Sequence, residues 1–288
     1  MDTRRKAVRD VLVQVNGVIL GKERLTLEVL AALLAGGHVL LEDMPGVGKT
    51  TLAIAFARLL GLEWKRVQFT PDVLPSDLTG FSVYHREAGQ FVYQPGAVFC
   101  NLLLADEINR TSPKTQSALL EVMEERQVTV EGKTRRLPEP FFVIATQNPA
   151  GAVGTQLLPP AQMDRFMICT AIGYPDFESE CAMARGADST RRTDALEALM
   201  NAETLCAIRR EVEAVFVHDA IARYAVRLID ATRRSPYLES GASPRGTLAL
   251  VRMAKAAAWL QGNGFVVPAD IAEQFLPCAS HRGQLSVR

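Results

Sequence analysis

The sequence has no excess of charge of either sign. Its 32 acidic and 32 basic side chains cancel to a formal net charge of zero, so no global field draws it onto nucleic acid or a membrane surface, and any such contact must be local. It also lacks a cysteine framework. Five cysteines (Cys100, Cys169, Cys181, Cys206, Cys278) are scattered without CxxC spacing and four histidines (His38, His85, His218, His281) are equally dispersed, which excludes a disulfide scaffold and a zinc site. A lone cysteine in an apolar run, such as Cys169 in MICTAI, is expected in the core. Met1 to Asp10 is charged throughout and has no apolar segment of the kind a secretory leader needs, and no uninterrupted apolar run reaches the length of a membrane span. A cytoplasmic protein with neither is expected. Long Gly/Ser or Pro runs are missing too, so no flexible tether separates parts of the chain. What is present is 288 residues, 48% of them hydrophobic, enough to bury a full core and more than a single domain usually takes.

The stretch His38 to Thr50 reads HVLLEDMPGVGKT. His38 to Glu42 suits a short buried strand, Asp43 to Gly48 is a turn broken by Gly and Pro, and Lys49-Thr50 open the helix-like TLAIAFARLL. This is the order a phosphate-binding loop needs. A triphosphate is held by many donors at once, so the backbone must wrap close to it, and Gly46 and Gly48 lack the Cβ that would stand in the way. The helix starting near Lys49 adds its positive end, Lys49 reaches the β and γ phosphates, and Thr50 offers its hydroxyl to Mg²⁺. One departure stands out: the strict pattern GxxxxGK[ST] asks for Gly at position 43, where this chain has Asp43.

Around this loop, apolar spacing predicts helices over Thr3 to Val15 and Leu25 to Leu34, the second stopped by Gly36-Gly37. The intervening GVILGKE turn either borders an adenine pocket or packs on the sheet, and the residues alone leave both open. After the loop's helix ends at Gly61, WKRVQF predicts a second strand. TPDVLPSDLTG is too rich in Pro and Asp for a regular element, and FSVYH and FVYQ predict a hairpin around a glycine turn. NLLLADEINR is then a buried strand delivering Asp106 and Glu107 at its carboxyl tip, the edge where ligands sit in open α/β sheets. Asp106 suits Mg²⁺ and Glu107 suits activation of the attacking water.

Ser112 and Pro113 predict the start of a helix running to Arg126. Gln127 to Leu137 predicts a second hairpin turning at Glu131 to Lys133. PFFVIATQNP predicts a third apolar strand with a polar tip, Gln147-Asn148, where an amide lies beside the γ phosphate if this strand neighbours that of Asp106. The loop Ala150 to Leu158, a short helix ending at Asp164-Arg165 and a last strand in MICTAI complete the first part. From Asp176 onward the alternating pattern gives way to successive helical ones. A boundary near residue 173 is expected, with 1–172 forming an α/β core and 173–288 a helical lid. Ser243-Pro244 begin a lid helix with Arg245 in its first turn.

With these motifs on the page, the chain resembles the MoxR family of AAA+ ATPases over nearly its whole length. The matching stretches are GHVLLEDMPGVGKTTLA, RVQFTPDVLPSDLTG, LLLADEINRTSPKTQSALLEVMEERQVTV, FFVIATQNP, AQMDRF and GASPR. The resemblance implies an α/β fold: an AAA+ P-loop core of five parallel strands with two inserted β-hairpins, followed by an all-α lid. It implies that Pro45, Gly46, Val47, Gly48, Lys49, Thr50 and Thr51 hold ATP, that Thr50 and Asp106 hold Mg²⁺, and that Glu107 is the catalytic carboxylate that activates water. Asn148 matches the sensor 1 position, Arg165 the arginine finger that reaches a neighbouring subunit, and Arg245 the sensor 2 arginine. Family members are thought to form hexameric rings and to act as chaperone-like remodellers, often with metal-binding von Willebrand factor A domain proteins. Where the family commonly has an acidic residue after NP and a Glu before AQLDRF, this chain has Ala150-Gly151 and Pro160, so the loop facing the neighbour is less acidic.

The preferred expectation is an ATP-driven protein remodeller. A nucleic-acid motor or loader is the alternative, because related AAA+ helicases carry paired hairpins and the second hairpin here bears Lys133, Arg135 and Arg136. The absence of an appended DNA-binding module or a basic excess weighs against it. A nucleotide-binding scaffold without turnover is disfavoured by the intact Asp106, Glu107 and Arg165.

Overall fold

The computed structural model describes residues 3–44, 46–87, 89–148, 158–185 and 189–286. Helices α1 (Thr3–Val18) and α2 (Glu23–Leu34) precede strand β1 (Val39–Glu42), and α3 (Lys49–Leu59) leads to β2 (Trp64–Gln68). In α1 the buried positions Val8, Val11, Val15 and Val18 recur every three or four residues, the period of a single helix face. A one-turn helix, α4 (Pro75–Thr79), then introduces the hairpin β3 (Phe81–His85) and β4 (Gln90–Gln94). This corrects the expectation that TPDVLPSDLTG forms no regular element. Pro75 occupies the first helical position and the Asp77 carboxylate accepts from the Leu74 amide at 2.8 Å, so the residues that argued against a helix cap one.

Strand β5 (Leu102–Asp106) is followed by α5 (Pro113–Glu125), the hairpin β6 (Gln127–Val130) and β7 (Lys133–Arg136), β8 (Phe142–Gln147), the short α6 (Pro160–Met163) and β9 (Ile168–Thr170). Ser112 caps α5, its hydroxyl accepting from the Thr115 amide at 3.3 Å. The β6–β7 turn places Glu131 and Gly132 both at positive φ, 53° and 73°, the mirror-image turn whose twist matches paired strands. The two hairpins meet: the Ser82 hydroxyl donates to Glu131 at 2.6 Å, and the Arg135 guanidinium lies 3.6 Å from the Tyr93 ring centroid.

The main sheet is parallel throughout, in the order β2-β5-β8-β1-β9. Both faces are covered, as a parallel sheet requires. Leu41, Leu104 and Ile144 point into a core with α1, α2, α3 and the lid, while Leu40, Leu103 and Val143 point into a second core with Leu119, Leu120 and Met123 of α5. After β9 come α7 (Phe177–Ala184), α8 (Ser189–Asp194), α9 (Ala202–Glu213), α10 (Asp219–Arg234), β10 (Leu238–Ser240), α11 (Pro244–Gln261), α12 (Pro268–Ala279), a 3-10 turn at Ser280–Arg282 and β11 (Gln284–Leu285). The helical lid thus also carries a two-stranded antiparallel pairing of β10 with β11, too short to show as alternation.

Two histidines are buried neutral at the seams. His38 Nδ1 accepts from the Val143 amide at 2.9 Å and its Nε2 donates to the Met123 carbonyl at 3.1 Å, and burial lowers its pKa to about 4, with Arg126 and Arg209 adding to the effect. His281 donates from Nε2 to the Phe166 carbonyl, and burial beside Arg282 lowers its pKa to about 3 against the opposing pull of Asp164. In the unfolded chain both protonate near 6.5. Folding therefore excludes protons, so stability is full above pH 6.5 and falls as pH drops towards 4, by up to about 2.7 kcal/mol per pH unit from the two groups together. Chemical denaturation at pH 7, 6 and 5 reads this slope. His38→Gln, which keeps a donor and an acceptor, is expected to roughly halve it, and an unchanged slope counts against the assignment.

Candidate active site

The phosphate loop emerges from β1 between β8 and β9, at the carboxyl edge of the sheet. Gly46 and Gly48 have φ of 85° and 93°, and a Cβ built on either meets no atom within 4 Å. The glycines are there for backbone conformation and for an open cradle above the loop, not for packing. Val47, Lys49, Thr50 and Thr51 lie in this loop and the first turn of α3, whose N-terminal end faces the cradle. Pro45 falls outside the described residues, as do Ala150 and Gly151. Lys49 is buried, and its ammonium donates to the carbonyls of Asp43 at 2.7 Å and Met44 at 3.3 Å. Burial lowers its pKa, while Asp43, Asp106 and Glu107 pull it back up.

Asp43, the departure from the strict loop pattern, has a physical account. It is not among the residues at positive φ, so the backbone makes no demand for glycine there. Its carboxylate accepts from the Met44 amide at 2.8 Å and from the Gly173 amide at 2.5 Å, tying the loop to the segment that follows β9. That segment closes one wall of a cavity of about 160 Å³ beside the loop, lined by Val18, Ile19 and Leu20 from the end of α1, Val47, Thr51 and Ile172. The segment Val18 to Leu20 therefore borders the cavity beside the loop as well as packing on the core.

Asp106 and Glu107 follow from β5, two strands away from β1. The Asp106 carboxylate accepts from Thr146 Oγ1 at 2.6 Å and from Arg66 at 2.7 Å. Glu107 has φ 57° and ψ 49°, a left-handed conformation uncommon for a residue with a side chain and typical of strained functional positions. Its amide donates to Thr146 Oγ1 at 2.9 Å and its carboxylate takes a 2.6 Å hydrogen bond from Arg110. Thr146, which sequence reasoning missed, thus orients both acids from the neighbouring strand. β8 does lie between β5 and β1, so Asn148 leaves the sheet between the acids and the loop, its carbonyl accepting from Asn109 at 3.2 Å.

Arg165 and Arg245 are not brought to this edge. They sit together around Glu124 at the end of α5: Arg165 pairs with it at 3.5 Å and Arg245 is hydrogen-bonded to its other oxygen. With Gly37 and His38 they line a cavity of about 570 Å³ at the amino-terminal end of β1. The five residues from His38 to Asp43 put this cavity about 16 Å along the sheet from the phosphate loop.

The donor set suits a magnesium nucleotide. Phosphates fit an open glycine cradle flanked by a helix end and an ammonium, and Mg²⁺ is ordinarily held by one or two carboxylates with phosphate oxygens and water, for which Thr50 and Asp106 are available. Among the described residues no three His, Cys, Asp or Glu gather into an all-protein metal cage. Among the described residues no helix is long and apolar enough to cross a membrane.

Parallel sheet, phosphate loop, paired acids and helical lid define a P-loop ATPase of the AAA+ class. The profile of the ATPase family associated with various cellular activities (AAA) matches residues 38–168, and that of the AAA lid domain matches residues 230–287. The uncharacterised protein YeaC of Bacillus subtilis is 49% identical over 257 residues, covering 89% of this chain and 80% of the relative. The chaperone MoxR1 of Mycobacterium tuberculosis is 38% identical over 278 residues, covering 93% and 73%. A crystal structure of a candidate ATPase from Cytophaga hutchinsonii superposes with a TM-score of 0.90 at 37% identity, covering 98% of this chain and 88% of that one. The chain belongs to the MoxR family of AAA+ ATPases.

Proposed function

We propose that the protein hydrolyses ATP to ADP and phosphate with Mg²⁺ and uses the energy, as a cytoplasmic ring of six subunits, to remodel or mature partner proteins, von Willebrand factor A domain proteins among them. The observation that carries this is the division of the site. The cradle and acids lie at one edge of the sheet while Arg165 and Arg245 lie at the other, so a complete site needs a second subunit. Residues 1–172 serve as the nucleotide-binding core and 173–288 as the lid that carries Arg245.

Bound Mg²⁺-ATP supplies the phosphoryl group and the divalent charge. In this reading Pro45 to Thr51 hold the phosphates, Thr50 and Asp106 the metal, and the apolar wall of Ile19, Val47 and Ile172 the base. Glu107 accepts the proton of the attacking water. Asn148 orients that water, and the neighbour's Arg165 and Arg245 meet charge developing on the phosphoryl oxygens.

A nucleic-acid motor is the weaker reading because one of its three hairpin cations is already engaged: Arg135 stacks on Tyr93 and bonds the Val130 and Lys133 carbonyls. Two titrations test the proposal together. ATP turnover per subunit is expected to rise with protein concentration as the ring assembles. DNA binding is expected to be weak; if Lys133, Arg135 and Arg136 contact phosphates it falls steeply with salt, with a log-log slope of about −0.7 to −0.9 per contact. Turnover independent of concentration in a monomeric sample counts against the ring. Sub-micromolar DNA affinity at physiological salt, lost when Lys133, Arg135 and Arg136 all become Ala, favours the motor.

A further inference from the structure

The lid's last turn grips the core at one place. Arg282 has a side chain only 2% exposed, and its guanidinium spends all five N–H groups on hydrogen bonds. Nε donates to the Asp164 carboxylate at 2.8 Å. Nη2 donates to the carbonyls of Asp164 at 3.1 Å and Phe166 at 2.6 Å, and Nη1 to those of Met167 at 3.1 Å and Cys278. Four of these acceptors, on Asp164, Phe166 and Met167, flank Arg165 on either side in sequence. His281 adds a further bond to the Phe166 carbonyl, and Ser243, the cap of α11, donates to the remaining Asp164 oxygen at 2.7 Å. Gly246, in the first turn of α11, leaves room for the Arg282 stem: a Cβ there stands 3.1 Å from Arg282 Cδ.

We propose that Arg282 is a positioning residue for the shared active site, clamping the segment 164–167 to the start of α11 so that Arg165 and Arg245 are presented to the neighbouring subunit as one rigid unit. The inference rests on the proposal that Arg165 acts across a subunit boundary. Lid and finger segment share this buried fork, so a lid rotation driven by nucleotide at one edge of the sheet carries both cations at the other. A lysine cannot replace it, because three donors on one nitrogen cannot reach five acceptors spread around the edge of a planar fork.

The test uses Arg282→Lys in the full chain. Its ATP affinity is expected to stay close to wild type, while its melting temperature falls, because a lysine leaves buried acceptors of the segment unpaired. Turnover is expected to fall about 100-fold, the cost of misplacing a reacting group by about an ångström. Mixing separates positioning from general damage, because an Arg282→Lys subunit presents a poor finger but keeps its own cradle and Glu107. Mixed with Glu107→Gln subunits it should regain activity, and mixed with Arg165→Ala subunits it should not. Full turnover of Arg282→Lys, or no recovery with Glu107→Gln where Arg165→Ala does recover, overturns the clamp alone. If Arg165→Ala alone keeps full turnover, the shared site falls and the clamp with it. Should Arg282→Lys not melt cooperatively, Asp164→Asn is read in its place with the same pairings expected, and failure of both variants to fold assigns Arg282 a purely structural role.

Discussion

Arg165→Ala is expected to bind ATP like the wild type and to lose turnover by a factor on the order of 10³ to 10⁵, the range measured for arginines that stabilise phosphoryl transfer. Binding survives because the cradle of Gly46, Gly48 and Lys49 is about 16 Å along the sheet from Arg165, judged by the strand between them. Turnover fails because charge on the phosphoryl oxygens builds only in the transition state, and a cation acting there affects rate without affecting ground-state affinity. The ion pair with Glu124 is half exposed and its loss should cost little stability. Mixing gives the decisive reading. Glu107→Gln subunits keep Arg165 and Arg165→Ala subunits keep Glu107, so a ring containing both has sites where an intact acid faces an intact finger. Activity is expected to reappear from two inactive proteins, provided subunits exchange and the ring does not need every site to fire. Full activity of Arg165→Ala at every concentration refutes the shared site.

Glu107→Gln is expected to abolish turnover while preserving nucleotide and metal binding. The carboxylate's acceptor role towards water is lost, whereas Lys49, Thr50 and Asp106 are untouched. The change should not disturb the fold. Glutamine is isosteric, the hydrogen bond to Thr146 is made by the backbone amide, and the pair given up with Arg110 is partly exposed, worth about 1 kcal/mol. Because ATP binds only the folded protein, nucleotide at about 100-fold over Kd should add roughly 2.7 kcal/mol to stability in the variant as in the wild type. Calorimetry with and without Mg²⁺-ATP, beside a phosphate-release assay, reads both halves. An equally active Glu107→Gln protein refutes the role given to Glu107. A variant that no longer gains stability from ATP places Glu107 in binding instead.

Much of this was legible along the chain because it is encoded over short distances. The strand–turn–helix around Gly48, the cap at Ser112, the hairpin turning at Glu131-Gly132 and the apolar run into Asp106 are each defined within about a dozen residues, where side-chain period and turn chemistry decide the backbone. The strand order could be expected only through resemblance. The one-turn α4 was hidden because Pro and Asp read as breakers until their positions at its first turn are known.

The sequence by itself therefore determined the longer helices and strands, the nucleotide loop and the acids beside it, since each depends on spacing between near neighbours. Only the tertiary structure decided what joins them. Asp43 meets Gly173, Thr146 meets Asp106 and Glu107, Arg165 and Arg245 share Glu124, and Arg282 wraps a segment that lies 115 to 118 residues earlier. A carboxylate or guanidinium carries no mark of its partner in the linear code. Its partner is set by which surfaces the hydrophobic cores bring into register, and a buried charge like that of Arg282 persists only because docking of the lid supplies an acceptor for every donor.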